Sequence, residues 1–104
     1  MYICNAFSIQ MLPPEGGQVT FTPISPAFAG EMLSNGAQSA IGHADTAAVV
    51  SDTLGMEVPS NRAFVALKPG DEIIVAQLTG GRLPEGSITL PEGFEIAFFH
   101  VTIG

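Results

Sequence analysis

The stretch DEIIVAQL, from Asp71 to Leu78, carries the apolar run around which the fold of this chain is predicted. The tight-turn sequence PGD ends at Asp71, and a second apolar run, NRAFVALK over 61–68, precedes that turn. Two such runs joined by a short turn are typical of a β-hairpin. The sequence therefore predicts paired strands over 61–68 and 71–78.

Three further runs predict strands outside this hairpin. YICNAF, from Tyr2 to Phe7, is nearly continuous apolar sequence, as in a strand buried on both faces. QVTFTPI over 18–24 alternates polar and apolar residues, which indicates a strand with one wet face. FEIAFFHVTI over 94–103 is a third apolar strand.

Helix signals lie between these strands. Ser25, followed by proline, is a good cap for a helix in AFAGEML, and Ser8 can cap a short helical turn in IQML. Asp45 is expected to cap a helix in TAAVVSDTLG that stops at Gly55. SNGAQSAIG is predicted to be a loop or a short helix ending at Gly42. Together these elements predict one α/β domain over residues 1–104, a mixed five-stranded sheet covered by two or three helices.

The composition limits the partners of this domain. Charged residues make up 12% of the chain and hydrophobic ones 46%, which favours a homodimer that hides part of an apolar surface. The net charge is −7, with three basic residues, so long DNA or RNA is disfavoured while a small anionic ligand is not.

The lone cysteine, Cys4, predicts a small core residue and excludes a cysteine-based zinc site. No metal-ligand spacing or nucleotide-cofactor motif occurs, so neither a metal nor a cofactor is expected. No signal peptide or membrane-spanning run is apparent, which favours a cytoplasmic location.

His43 is one of two histidines, and it stands just before the predicted helix at Asp45. The backbone N–H groups at a helix start form an anion site, and histidine is the usual acid or base in metal-free phosphodiester cleavage. A plain surface or capping histidine is the alternative. His100, in the last strand, is expected to be a core or interface residue.

Arg82 and Glu85 lie in GGRLPEG, within the Gly- and Pro-rich segment 79–93, which is predicted to be an exposed and mobile loop. An arginine can bind a phosphate through two parallel hydrogen bonds, and a glutamate can accept the proton of a hydroxyl group. The alternative is that both residues are solvated surface charges. Arg62 is either a ligand contact or half of an edge salt bridge. Ser8 could bind phosphate as well as cap its turn.

Taken in order, several motifs resemble those of the viral ring nucleases, small proteins that counter type III CRISPR immunity. The matching motifs are NAFSIQML, IGH followed by Thr46, NR at 61–62, D…IVAQL, GRLPEG and FFHVTI. This resemblance implies a homodimer that binds cyclic tetra-adenylate. It also implies metal-independent cleavage of the ring to linear di-adenylates ending in a 2′,3′-cyclic phosphate.

The same resemblance implies a set of site residues. His43, Arg82 and Glu85 correspond to the catalytic residues of the family. Substrate-binding roles are implied for four further residues, Ser8, Asn5, Gly42 and Arg62. Several relatives carry an additional helix before the last strand, and here the short sequence SITLPEG takes its place, which indicates a shorter lid.

Three other functions stay open on the sequence alone. The same dimer could bind a cyclic adenylate without cutting it, or it could be a structural viral protein. A general ribonuclease is the least favoured because of the negative charge.

Overall fold

The computed structural model describes all residues 1–104, and its frame is a five-stranded sheet with the order β2-β5-β4-β1-β3. The strands, in chain order, are β1 Tyr2–Cys4, β2 Val19–Ile24, β3 Gln38–Ser39, β4 Glu72–Thr79 and β5 Glu95–Ile103. The helices are α1 Pro26–Leu33 and α2 Ala44–Leu54, with a short 3₁₀ turn at Ile9–Met11. The prediction of an α/β domain with a mixed five-stranded sheet and two or three helices is thereby confirmed.

Strand β4 lies at the centre of the sheet. It pairs antiparallel with β5, where Ile74 faces His100, and parallel with β1, where Ile74 faces Ile3. Strand β2 extends the antiparallel side and β3 the parallel side. The sheet is mixed because a helix-bearing crossover returns the chain to a parallel neighbour.

The predicted hairpin over 61–68 and 71–78 is wrong in its first strand. Residues 61–68 form no strand, because both edges of β4 are already occupied by β1 and β5. Their apolar character comes from packing, since Val65 and Leu67 are buried against one face of the sheet. The turn itself is present, as the Asp71 N–H donates to the Lys68 carbonyl at 3.0 Å. The fifth strand is instead β3, inside the segment predicted as a loop or helix.

Helix α2 begins earlier than predicted. His43 is the N-cap residue and Asp45 lies within the first turn, so Asp45 is not the cap. The helix ends at Gly55, as predicted, because its φ of 69° is a left-handed conformation that glycine adopts without a Cβ clash. The Ser25 and Ser8 side chains accept from the N–H groups of Phe28 and Gln10, which confirms both predicted caps.

Apolar clusters cover both faces of the sheet. Phe98 and Ile74 pack beneath the two helices, whereas Val75 and Val101 pack beneath the irregular segment that contains Leu67. Cys4 belongs to the second cluster, as expected for a core residue, and burial raises the pKa of its thiol. Neither helix has the length and apolar character needed to cross a membrane.

Candidate active site at the start of helix α2

A cleft of about 590 Å³ opens where the loop after β4 meets the start of α2. It collects His43 from the helix start together with Arg82 and Glu85 from the loop. The residues that complete its lining are Asp45, Thr46, Leu78, Gly81 and Leu83. The cleft therefore joins His43 to two candidates that lie about 40 positions further along the chain, and two of its eight lining residues are hydrophobic.

His43 is exposed and is the N-cap residue of helix α2. Its backbone is extended, its carbonyl accepts the Ala47 N–H at 3.0 Å, and its imidazole makes no capping hydrogen bond. The first-turn N–H groups of α2 are consequently left without a side-chain acceptor from the cap residue. A helix start in this state favours an anion, and the imidazole stands next to it.

Arg62 reaches the same region through the backbone of Gly42. Its Nε donates to the Gly42 carbonyl at 3.4 Å, and its Cγ lies 3.3 Å from the position a Gly42 Cβ would take. The preceding Asn61 fixes this approach, because its N–H donates to the Ile41 carbonyl at 2.7 Å and its side-chain amide to the Ser39 carbonyl at 2.8 Å. Residues 61 and 62 thus run alongside the segment that leads into His43.

Asp45 contributes to the cleft in a way that the sequence did not reveal. Its Oδ2 accepts the backbone N–H of Gly86 at 3.2 Å, which joins the first turn of α2 to the loop carrying Arg82 and Glu85. The contact spans 41 positions, so no local sequence pattern could signal it. The sequence predicts a helix cap at Asp45 because that is the usual role of an aspartate at a helix start.

Asn5 and Ser8 lie outside the cleft. Asn5 lines a second cavity of about 460 Å³, which adjoins the cleft through the shared residue Leu78. The Ser8 hydroxyl accepts the Gln10 N–H at 3.2 Å and lines neither cavity. Within one chain, the cleft brings together His43, Arg82 and Glu85 and leaves these two apart. Gly42 and Arg62 contact each other next to His43 without lining the cleft.

The arginines near the cleft form no ion pair. The two carboxylate contacts to basic side chains are Lys68–Asp71 at 4.0 Å and His100–Glu72 at 3.5 Å, both away from the cleft. His100 is a half-buried residue of β5 that belongs to neither apolar cluster, so it is not a core residue, and its place at an interface stays a prediction. No group of three or more His, Cys, Asp or Glu side chains is arranged to hold a metal ion.

A family model, a related protein and a solved structure all match nearly the whole of this chain. The STIV B116-like family model matches residues 1–100. Uncharacterized protein 26 of Sulfolobus islandicus filamentous virus is 30% identical over 108 residues, covering 97% of this chain and 91% of that protein. B116 of Sulfolobus turreted icosahedral virus has 27% identity and a TM-score of 0.80, with 97% of each chain covered. The chain therefore belongs to the STIV B116-like family, whose members are proteins of archaeal viruses.

Proposed function

We propose that this protein is a metal-independent ring nuclease that cleaves cyclic tetra-adenylate and thereby switches off type III CRISPR defence in the host cytoplasm. The observation that supports the proposal is the convergence of His43, Arg82 and Glu85 on one cleft at the start of α2. These are the three residues to which the resemblance to viral ring nucleases assigns catalysis.

In the proposed reaction, a ribose 2′-oxygen of the ring attacks the adjacent phosphorus atom. The O2′–P bond forms, the P–O5′ bond breaks, and the product ends in a 2′,3′-cyclic phosphate. Glu85 can accept the proton of the 2′-hydroxyl, and His43 as imidazolium donates a proton to the departing 5′-oxygen. Arg82 stabilises the negative charge that builds up on the phosphorane oxygens.

The electrostatics favour a small ring over ordinary RNA. A chain with a net charge of −7 repels an extended phosphate backbone, because such binding needs many Lys and Arg contacts. Arg62 and Arg82, which form no ion pairs, and the helix start at His43 together supply a few local donors for anionic groups. A compact anion can use these few donors, whereas DNA would face the acidic remainder of the surface.

We further propose that the working unit is a homodimer joined through the second cavity. That cavity is lined by Asn5, Ala6, Phe7, Phe21, Val75, Gln77, Leu78 and Phe99, none of which is charged. Two acidic chains can therefore meet there without direct charge repulsion, and about half of the Phe21 surface is available for contact. A two-fold pair also matches a ring of four identical nucleotides.

Binding without cleavage is the second candidate function. The uncapped start of α2 and the Arg62 guanidinium could hold a phosphate whether or not His43 transfers a proton. Such a protein would lower the free concentration of the ring by sequestering it.

The deciding experiment is incubation of the protein with cyclic tetra-adenylate in EDTA, followed by chromatography and mass spectrometry. Linear di-adenylate with the mass of a 2′,3′-cyclic phosphate is the expected product. An intact ring that raises the melting temperature of the protein would replace catalysis with sequestration. An intact ring without any thermal shift would overturn both functions and favour a structural role.

A further inference from the structure

The segment between β4 and β5 is joined to the rest of the domain by one hydrogen bond. That bond runs from the Gly86 N–H to Asp45 Oδ2 at 3.2 Å. The other hydrogen bonds of residues 80–94 stay within the segment, from Ser87 to the Pro84 carbonyl and from Phe94 to the Pro91 carbonyl. Asp45 therefore supplies the hydrogen bond between this segment and the first turn of α2, in addition to the packing of half-buried residues such as Leu83 and Leu90.

The base of the segment is held in a different way. A Cβ on Gly80 would lie 2.8 Å from both the Gly93 carbonyl oxygen and the Phe94 Cα, so the two arms touch where the segment leaves the sheet. Only glycine permits this approach, and its φ of 122° also excludes most side chains. Arg82 and Glu85 lie between this fixed base and the contact at Gly86.

We propose that Asp45 is a positioning residue of the active site, fastening the loop that carries Arg82 and Glu85 to the helix start that carries His43. The proposal rests on the proposed function, because positioning has a catalytic consequence only if these side chains act on one substrate. Asp45 touches no reacting atom in the proposed reaction. It acts through the Gly86 amide, which lies next to Glu85.

The negative charge of the Asp45 carboxylate acts against its positioning role. Asp45 lines the cleft, so its negative charge weakens the binding of a phosphate. A role as hydrogen-bond acceptor and a role as charge thus predict opposite results when the acid is replaced. Asp45→Asn keeps an acceptor oxygen and loses the charge, whereas Asp45→Ala loses both.

The test compares Asp45→Asn and Asp45→Ala with Asp52→Asn, which removes an acidic charge from the exposed far end of the same helix. Hydrogen exchange of the Gly86 amide is measured by NMR, and kcat and KM are measured with cyclic tetra-adenylate. Asp45→Ser is added as a second variant with a truncated side chain. Thermal melts of the parent protein and the variants identify a temperature at which all of them are folded.

In Asp45→Ala and Asp45→Ser, we expect the Gly86 amide to exchange about tenfold faster and kcat to fall at least about tenfold, because small misplacements of catalytic groups are costly. Asp45→Asn should keep kcat within about threefold, since its amide oxygen can accept the same bond. Asp52→Asn should match the parent protein in exchange and turnover.

Unchanged Gly86 exchange in both truncated variants would overturn the proposed contact. Unchanged or increased kcat in Asp45→Ala would overturn the positioning role and leave only the effect of charge. A parent protein that does not cleave the ring would overturn the proposed function and the catalytic consequence together, while the exchange measurement would still decide whether Asp45 fastens the loop.

Discussion

The Nε of Arg62 donates a hydrogen bond to the carbonyl oxygen of Gly42, the residue immediately before His43. The stem of the arginine lies against the same glycine, with Cγ 3.3 Å from the position of an added Cβ. The Arg62 guanidinium is thereby tied to the backbone that carries the imidazole, with its terminal nitrogens free of any ion pair. A phosphate bound at the start of α2 would lie close to both groups.

Replacement of Arg62 should weaken substrate binding more than it slows cleavage. We expect Arg62→Ala to raise KM for cyclic tetra-adenylate about tenfold, the effect of losing one charged hydrogen bond, with kcat within about threefold. Lys68→Ala is the matched control, because that exposed cation is paired with Asp71 away from the cleft. A large fall in kcat with unchanged KM would contradict the binding role of Arg62.

Replacement of Arg82 should act on the chemical step. If its guanidinium stabilises the phosphorane, Arg82→Ala should lower kcat by about a hundredfold to a thousandfold, as the loss of one transition-state donor does elsewhere. Arg82→Lys should restore part of that loss, since it keeps the charge without the planar fork. Single-turnover rates provide the measurement, and a kcat equal to that of the parent protein would exclude Arg82 from catalysis.

Charge introduced at Phe21 should dissociate the proposed dimer. Phe21 contacts the Phe7 ring edge-on at a centroid distance of 5.3 Å and is 49% exposed, so Phe21→Glu leaves the core intact while placing a charge on the proposed interface. Phe64→Glu is the control, because Phe64 is 74% exposed and does not line the second cavity. Sedimentation equilibrium should show a monomer for the first variant and a dimer for the second. A parent protein that sediments as a monomer would contradict the proposed assembly.

The Cys4 thiol should react slowly in the folded protein. It is 2% exposed, and burial raises its pKa, so both access and the fraction of reactive thiolate are low at neutral pH. We expect labelling by a disulfide reagent to speed up by at least about a hundredfold in denaturant, in line with a stable core. Rapid labelling of the native protein would show that β1 opens locally.

Local patterns in the sequence predict most of the helix ends and most of the strands of the sheet. The serine caps at Ser8 and Ser25, the stop at Gly55, and the strands corresponding to β2, β4 and β5 all follow from short-range chemistry. They could be predicted because capping and apolar alternation depend on neighbours a few residues apart.

The sequence does not predict features that depend on contacts between distant parts of the chain. Residues 61–68 have the apolar character of a strand, yet the edge they would need on β4 is taken by β1. The two-residue strand β3 is too short to leave a pattern. In the site, resemblance indicated His43, Arg82 and Glu85, whereas the bond between Asp45 and Gly86 required the folded chain, because nothing near either residue marks the other.

The most direct test of the proposed catalysis is the single-turnover rate of cyclic tetra-adenylate cleavage in EDTA, for the parent protein and for His43→Ala. We expect conversion to di-adenylate by the parent protein and a rate at least about a hundredfold lower in the variant, the usual contribution of a general acid. Equal rates in the two proteins would contradict the assignment of His43. A ring left intact by an excess of the parent protein would contradict the proposed catalysis itself.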